Sequence, residues 1–262
     1  MSTEVEDRIF ETRTHYRSML RSIQETICQL ETDHIDPHDA EGAGIQQRSM
    51  SLESKLDNPS FFIPYEDEYA LLVDRDYPTY DRNVETRLNV GEFHYYMQDC
   101  CGQSYPEDEN KPEGIRFRSM AELRLGTLAE VNNHHWHVSL ICSAAAVDEP
   151  LPHMKCLMES EATGDDRLLR SEIVAIIKTM VARLNTKSLR PHLMAPVMLY
   201  SIMGPQHLRV LEAHFNGKNL IIGQTRLYDM RQENMATIDL LTRWWLGFAK
   251  GETKSVTGVH VP

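Results

Sequence analysis

Four histidines in the middle of the chain carry side chains that could bind a transition metal. His135 and His137 flank Trp136, and alternate residues of a β-strand point to the same face, so these two imidazoles would share one face. A metal site needs a further ligand, and His153 is the nearest candidate along the chain. The alternative is a polar turn, including His134, that leads into a core strand. The sequence therefore marks His135, His137 and His153 as candidate metal ligands.

Motifs that specify a nucleophile or a cofactor do not occur. Ser201 lies in Tyr-Ser-Ile-Met-Gly, which is not the G-x-S-x-G motif of a nucleophile elbow. There is no P-loop and no G-x-G-x-x-G, so no cofactor is expected. The five cysteines are odd in number and include no C-x-x-C pair, which favours a reducing compartment. The acidic N-terminus lacks the apolar segment of a signal peptide, and we expect a cytoplasmic or nuclear protein.

The composition is that of a globular protein with an acidic surface. Hydrophobic residues make up 41% of the 262 residues, and the net charge is −12. That charge repels a polyanion, so nucleic acid is not an expected partner. The apolar stretches 138–147 and 195–203 are too short to cross a bilayer, so no membrane partner is expected.

The elements that would position these residues are clearest in the second half of the chain. Residues 135–146 read as a buried strand, and residues 167–184 as a helix with a broad apolar face. Strands at 197–203, 207–215 and 220–228 follow, with a hairpin turn at Asn216-Gly217. A last helix is predicted over 233–249. The fold class expected is α+β, an antiparallel β-meander packed by two helices.

The first half predicts an appendage on that fold. Residues 1–31 contain an amphipathic helix, with Ile9, Tyr16, Ile23 and Leu30 spaced seven apart. This spacing suits a helical arm that self-associates or binds a protein partner as a short coiled coil, or a helix packed on its own domain. The division predicted from composition is an arm at 1–31, a flexible linker at 32–60, an α+β domain at 61–251 and a disordered tail at 252–262.

The order of helix, three strands and helix over residues 167–248 resembles the core of the PD-(D/E)XK nucleases. The resemblance lies in topology alone. It implies that Glu172, Glu212, Gln224 and Arg226 would stand where that family holds Mg²⁺ and activates water. Gln224 and Arg226 depart from the family, because Gln is a poorer Mg²⁺ ligand than Glu and Arg cannot act as a base. The implied relative is a degenerate, inactive one.

A second resemblance covers about one sixth of the chain. The stretch Pro196-Val-Met-Leu-Tyr-Ser-Ile-Met-Gly-Pro-Gln-His-Leu-Arg-Val-Leu-Glu-Ala-His-Phe-Asn-Gly-Lys, followed by Leu227-Tyr228-Asp229, looks like a segment of uncharacterised proteins of filamentous fungi. That family has no assigned activity, so the resemblance implies an origin and no catalytic residues.

Two functions are consistent with these patterns. A protein-binding or scaffolding module is the preferred hypothesis, because a helical arm and a linker are predicted and no catalytic motif is found. The alternative is an enzyme, either a degenerate nuclease-like domain or one whose active site is assembled from distant residues. The sequence leaves open whether the protein is catalytic.

Overall fold

The computed structural model describes residues 3–71, 73–108, 114–126, 128–130, 135–144 and 150–254. It is a mixed α+β fold with a long N-terminal helix. In the part of the chain described, no helix combines the length and the apolar character needed to cross a membrane.

The helices of the described residues are α1 (Thr3–Cys28), α2 (Pro37–Gly42), α3 (Thr86–Gln103), α4 (Arg170–Asn185) and α5 (Met235–Leu246), with a short 3-10 turn at Lys187–Leu189. The strands are β1 (His34–Ile35), β2 (Ile45–Ser49), β3 (Phe62–Ile63), β4 (Tyr69–Ala70), β5 (Tyr105–Pro106), β6 (Ile115–Phe117), β7 (Ala129–Glu130), β8 (Trp136–Ala144), β9 (Met154–Thr163), β10 (Leu168–Leu169), β11 (Val197–Gly204), β12 (His207–Phe215), β13 (Leu220–Gln224), β14 (Tyr228–Asp229) and β15 (Phe248–Ala249).

Within the described residues, one mixed sheet of nine strands organises the fold. Its path runs β2-β13-β12-β11-β9-β8-β6, with β14 paired to β12 and β7 paired to β8. The strands β11, β12 and β13 pair antiparallel in succession, whereas β9 runs parallel to β11 and β2 runs parallel to β13. The predicted three-strand region is thus the centre of a larger sheet.

Helices cover both faces of this sheet. On one face, Tyr16 of α1 contacts the ring of Phe215 with centroids 5.2 Å apart, and α4 packs alongside. On the opposite face, the hydroxyl of Tyr200 donates to the carbonyl of Leu241 in α5 at 2.8 Å, and α3 packs on β9 and β11. Four helices, rather than the two expected, bury the apolar side chains of the sheet.

The N-terminal helix is confirmed, but it is packed on the domain and does not form a separate arm. Its stripe of Tyr16, Leu20, Ile23 and Ile27 is buried against the rest of the protein. The guanidinium of Arg13 donates to the carbonyl of Leu184 in the last turn of α4 and to that of His192 in the chain that follows. The seven-residue spacing of apolar side chains therefore serves intramolecular packing, which is the second of the two interpretations of the stripe.

The segment expected to be a flexible linker is largely built into the fold. It contributes β1, α2 and β2, and β2 forms the edge of the main sheet beside β13. The sequence obscured this because β2 is mostly polar: only its first residue, Ile45, is buried. A polar edge strand is hard to tell from a loop by composition.

Several local predictions can be compared with the structure. The strand at β8 and the helices α4 and α5 are confirmed with shorter bounds, and Gly217, with φ of 91°, forms the predicted turn. The strand β9 was not predicted. The tail expected to be disordered is described as far as residue 254, and residues 255–262 lie outside the described residues.

Candidate metal centre

Three side chains that can bind a metal converge where α3 crosses β8 and β9. Nδ1 of His94 lies 3.0 Å from Oε2 of Glu159, and Nδ1 of His137 lies 3.1 Å from Oε1 of the same carboxylate. One donor atom from each of the three residues lies within 4.8 Å of the others. The set is two imidazoles and one carboxylate.

The sheet register and the helix above it produce this convergence. His137 and Glu159 are directly opposite each other on the antiparallel pair of β8 and β9, so their side chains leave the same face at neighbouring positions. His94 lies on the buried face of α3, one turn after Val90, and is only 2% exposed. Packing of α3 on β9 therefore carries the third ligand over the other two.

The three groups are close together without being well hydrogen-bonded to one another. Among the described residues, Nδ1 of His94, Nδ1 of His137 and Oε2 of Glu159 are buried and have no partner in hydrogen-bond geometry, despite the short separations. Two ligands bound about 2.1 Å from one metal ion are about 3.0–3.4 Å apart at octahedral or tetrahedral angles. The two nitrogen–oxygen separations of 3.0 and 3.1 Å fall within or close to that range, each to a different oxygen of Glu159, and one donor atom from each residue lies within 4.8 Å of the others. A cation placed among them would satisfy the unpartnered atoms.

A β-bulge supplies a group that orients His94. The register of β8 against β9 shifts between Val138 and Leu140, which leaves Ser139 as the extra residue. Its Oγ lies 2.7 Å from Nε2 of His94 and 3.4 Å from the carbonyl oxygen of Leu157. If Nε2–H donates to Oγ and the hydroxyl donates to that carbonyl, Nδ1 of His94 keeps its lone pair for a metal.

The carboxylate of the site is held in its charged form. Burial alone would raise the pKa of Glu159, but contacts with His137 and His94 outweigh burial and lower the pKa to about 2. Glu159 therefore carries its negative charge at neutral pH, as a carboxylate ligand of a divalent cation must.

The site opens on one side into a cleft of about 510 Å³. Arg87, Gly91 and Tyr95, spaced one helical turn apart on α3, line this cleft together with Glu159. A Cβ atom at Gly91 would meet no atom within 4 Å, so packing does not require the glycine, although glycine inside a helix costs about 1 kcal/mol relative to Ala. The absent side chain leaves space in the cleft beside Glu159.

One of the three predicted metal ligands belongs to this site, and a second lies beside it. His137 belongs to it, and His135 lies beside it, with Nε2 4.0 Å from Oε1 of Glu159 and its ring 5.4 Å from that of His137. His153 lies just before the start of β9, about 20 Å from Glu159 along the strand. It is buried, and its Nε2 contacts the carbonyl oxygen of Lys250 at 2.9 Å. His134 lies outside the described residues.

The carboxylates implied by the nuclease resemblance are not brought together. Glu172 forms a buried ion pair with Arg209, and Oε2 of Glu172 accepts from Nη2 of Arg209 at 2.6 Å. Glu212 accepts from the backbone N–H groups of Ser60 and Phe61. Because positions 209 and 212 are an odd number of residues apart on β12, their side chains lie on opposite faces of the sheet.

The remaining two positions of that set have structural contacts of their own. Nε2 of Gln224 donates to the carbonyl of Asp166 at 2.8 Å. Arg226 is exposed and pairs with Glu53, with Nη2 and Oε1 3.2 Å apart. The four residues therefore do not form one site in this structure.

His94 and Glu159 were missed by the sequence-based reasoning. Each carries a local signal that could have drawn attention. His94 falls on the apolar stripe of its helix, between Val90 and Met97, and Glu159 interrupts the apolar run of β9. A polar residue on a buried face has to be satisfied by something, which is why such positions merit a search for partners.

Comparisons with models of protein families, with curated proteins and with solved structures found no match to this chain.

Proposed function

We propose that this protein binds a divalent first-row transition metal through His94, His137 and Glu159, in an open site of the catalytic type. The observation that supports the proposal is the convergence of two imidazole nitrogens on one carboxylate, each about 3 Å from a carboxylate oxygen, with buried donor atoms that lack well-directed hydrogen bonds. This proposal departs from the expectation of no cofactor.

The donor set favours some metals over others. Mg²⁺ and Ca²⁺ prefer oxygen ligands, whereas imidazole suits zinc and iron. Two histidines and one carboxylate form the protein ligands of catalytic zinc sites and of non-haem iron(II) oxygenases alike. Zinc and ferrous iron are therefore the two candidates.

The surroundings support catalysis over a purely structural role for the metal. Structural zinc sites use four protein ligands, and three leave a position for water or substrate. A metal in such a site acts as a Lewis acid on a bound oxygen atom. His135, near Glu159 and partly exposed, is placed to exchange a proton with a group bound in the cleft. We propose a metal-dependent enzyme on this basis.

The experiment is a titration of the metal-free full chain with Zn²⁺ and with Fe²⁺ under anaerobic conditions, in competition with a chromophoric chelator. The variants Glu159→Gln and His137→Ala each remove one ligand, and His38→Ala removes a histidine on the exposed surface of α2 as a matched control. We expect one metal per chain in the wild type and in the control, and binding weakened about a hundredfold or more in the ligand variants.

Thermal unfolding of each metal-free variant separates loss of the site from loss of the fold. Equal affinity and stoichiometry in the wild type and in both folded ligand variants would refute the site. Co²⁺ substitution adds a spectroscopic test, because the absorption of bound Co²⁺ reports its coordination number.

A protein partner, the function preferred from the sequence, is a second proposal. Because the apolar stripe of α1 is packed against the rest of the protein, a partner or a second copy would have to use its exposed side chains, among them Val5 and Phe10. Light scattering on the wild type and on Phe10→Ser tests this, with loss of a dimer in the variant as the supporting result. The five free cysteines, four of them buried, support a proposed location in the cytosol or nucleus.

A further inference from the structure

A second cavity, of about 500 Å³, lies between the first turns of α1 and the chain that follows α4. Its apolar lining includes Ile9, Phe10, Leu184 and Pro191. Phe10 is 59% exposed, whereas Arg13, about one turn further along α1, is buried. Cavities of this size accommodate a small molecule rather than a folded partner.

Four cationic side chains line the same cavity: Arg13, Arg17, Lys187 and Arg190. The first is buried and directs its guanidinium at carbonyl oxygens in the last turn of α4 and in the chain that follows it. Arg17 lines the cavity and donates to the carbonyl of Leu184 at 3.1 Å and to Oγ1 of Thr14 at 2.8 Å. Both Lys187 and Arg190 are exposed. The lining therefore concentrates positive charge, whereas the chain as a whole has a net charge of −12.

The partners that the described residues give Arg13 and Arg17 are uncharged groups, namely backbone carbonyls and a hydroxyl. In the described residues, no carboxylate oxygen comes within 4.0 Å of any of the four. Glu6 and Asp7 line the cavity as well, but neither forms an ion pair with them. Burial, and then the positive charges of Arg17 and Arg190, lower the pKa of Arg13 to about 10. Mutual repulsion among cations is relieved when an anion binds between them.

We propose that this cavity binds a small amphipathic anion, a carboxylate with an alkyl chain, independently of the metal centre. The carboxylate would contact Arg190, Lys187 and Arg17, and the alkyl chain would cover Ile9 and Phe10. Cationic groups beside an apolar wall in a concave site are what such a ligand requires.

The test is calorimetric titration of the metal-free full chain with dodecanoate below its micellar concentration. Dodecanol and dodecyltrimethylammonium are the neutral and cationic probes of the same chain length. The protein variants are Arg190→Gln, Lys187→Gln and, as a matched control on the β12–β13 hairpin, Lys218→Gln. The variant Glu159→Gln is included because a carboxylate could also bind at the metal centre.

We expect one dodecanoate per chain, with affinity reduced roughly tenfold for each cation removed, the size of one charge-assisted hydrogen bond. Affinity should rise about fourfold for each methylene added to the probe between octanoate and dodecanoate. The variants Lys218→Gln and Glu159→Gln should bind as the wild type does.

Three results would overturn the proposal: no saturable binding of dodecanoate, equal binding of dodecanol, or equal affinity in the folded Arg190→Gln and Lys187→Gln variants. Binding of the protein to anionic phospholipid vesicles without binding of free dodecanoate would assign the surface to a membrane instead. A dimer in light scattering that dodecanoate does not perturb would assign it to a second copy of the chain.

Discussion

Nδ1 of His137 lies 3.1 Å from Oε1 of Glu159, and the two residues are direct partners in the register of adjacent strands. Cross-strand partners are held by the backbone ladder on both sides, so their separation depends little on loop conformation. The centre of the candidate metal site is therefore rigid, and His94 completes it from the helix above.

The first prediction concerns the hydroxyl that orients His94. Replacing Ser139 by Ala removes the group 2.7 Å from Nε2 of His94 and frees the ring to rotate. We expect metal affinity to fall by about 10- to 100-fold, as for other groups that orient a ligand. The measurement is competition with a chromophoric chelator. Ser139→Thr keeps a hydroxyl and should recover most of the affinity, and failure of this rescue in a folded variant would argue against the orienting role.

The second prediction is acid destabilisation caused by two histidines that flank Phe61, the buried His153 and the partly buried His214. Burial lowers the pKa of His153 to about 4, and burial, followed by the charge of Arg48, lowers the pKa of His214 to about 4. The unfolded chain takes up these protons near pH 6.5, whereas the native protein does so only near pH 4. The free energy of unfolding is therefore unaffected by these two groups above pH 6.5, and it decreases as the pH falls from 6.5 towards 4.

The expected loss is about 3 kcal/mol per histidine over that window, from the pKa difference of about 2.5 units. Urea unfolding of the metal-free protein at a series of pH values measures it. The variant His153→Gln should show a shallower dependence on pH than the wild type, with exposed His38→Gln as the control. An unchanged slope in His153→Gln would contradict the assignment.

The third prediction concerns the ion pair between Glu172 and Arg209. Both side chains are almost fully buried, and Glu172 also accepts from the backbone N–H of Leu169. Replacing Arg209 by Met leaves a buried charge unpaired and should lower the free energy of unfolding by about 3–5 kcal/mol. The double variant Arg209→Met/Glu172→Gln removes that charge and should regain much of the loss. Chemical denaturation measures both, and equal destabilisation in the two variants would be evidence against the pairing argument.

The fourth prediction distinguishes a packed helix α1 from a detachable arm. Leu20 is fully buried, so Leu20→Ala should lower the free energy of unfolding by about 2–5 kcal/mol. Phe10→Ala, on the exposed side of the same helix, should change it by no more than about 0.5 kcal/mol. A detachable arm would instead give a small effect for both substitutions and an early, separate unfolding step for the helix.

The sequence by itself predicted the elements whose signals are local. The helices α1, α4 and α5 have apolar residues at helical spacing, and the strands β11 and β12 are bounded by Pro, Gly and a clear hairpin turn. These features depend on neighbours a few residues apart. The candidate pair His135 and His137 came from the same kind of pattern, the two-residue repeat of a strand.

Only the tertiary structure decided which faces of the helices and strands pack against each other. The apolar stripe of α1 could pack equally well on α4 or on another chain, because the hydrophobic effect is non-directional. The strand β9 escaped prediction because Lys155 and Glu159 interrupt its apolar pattern, and both are accommodated by distant parts of the chain. Glu159 meets His137 through strand pairing and His94 through helix packing, and contacts between residues so far apart in the chain leave no periodic signal in the sequence.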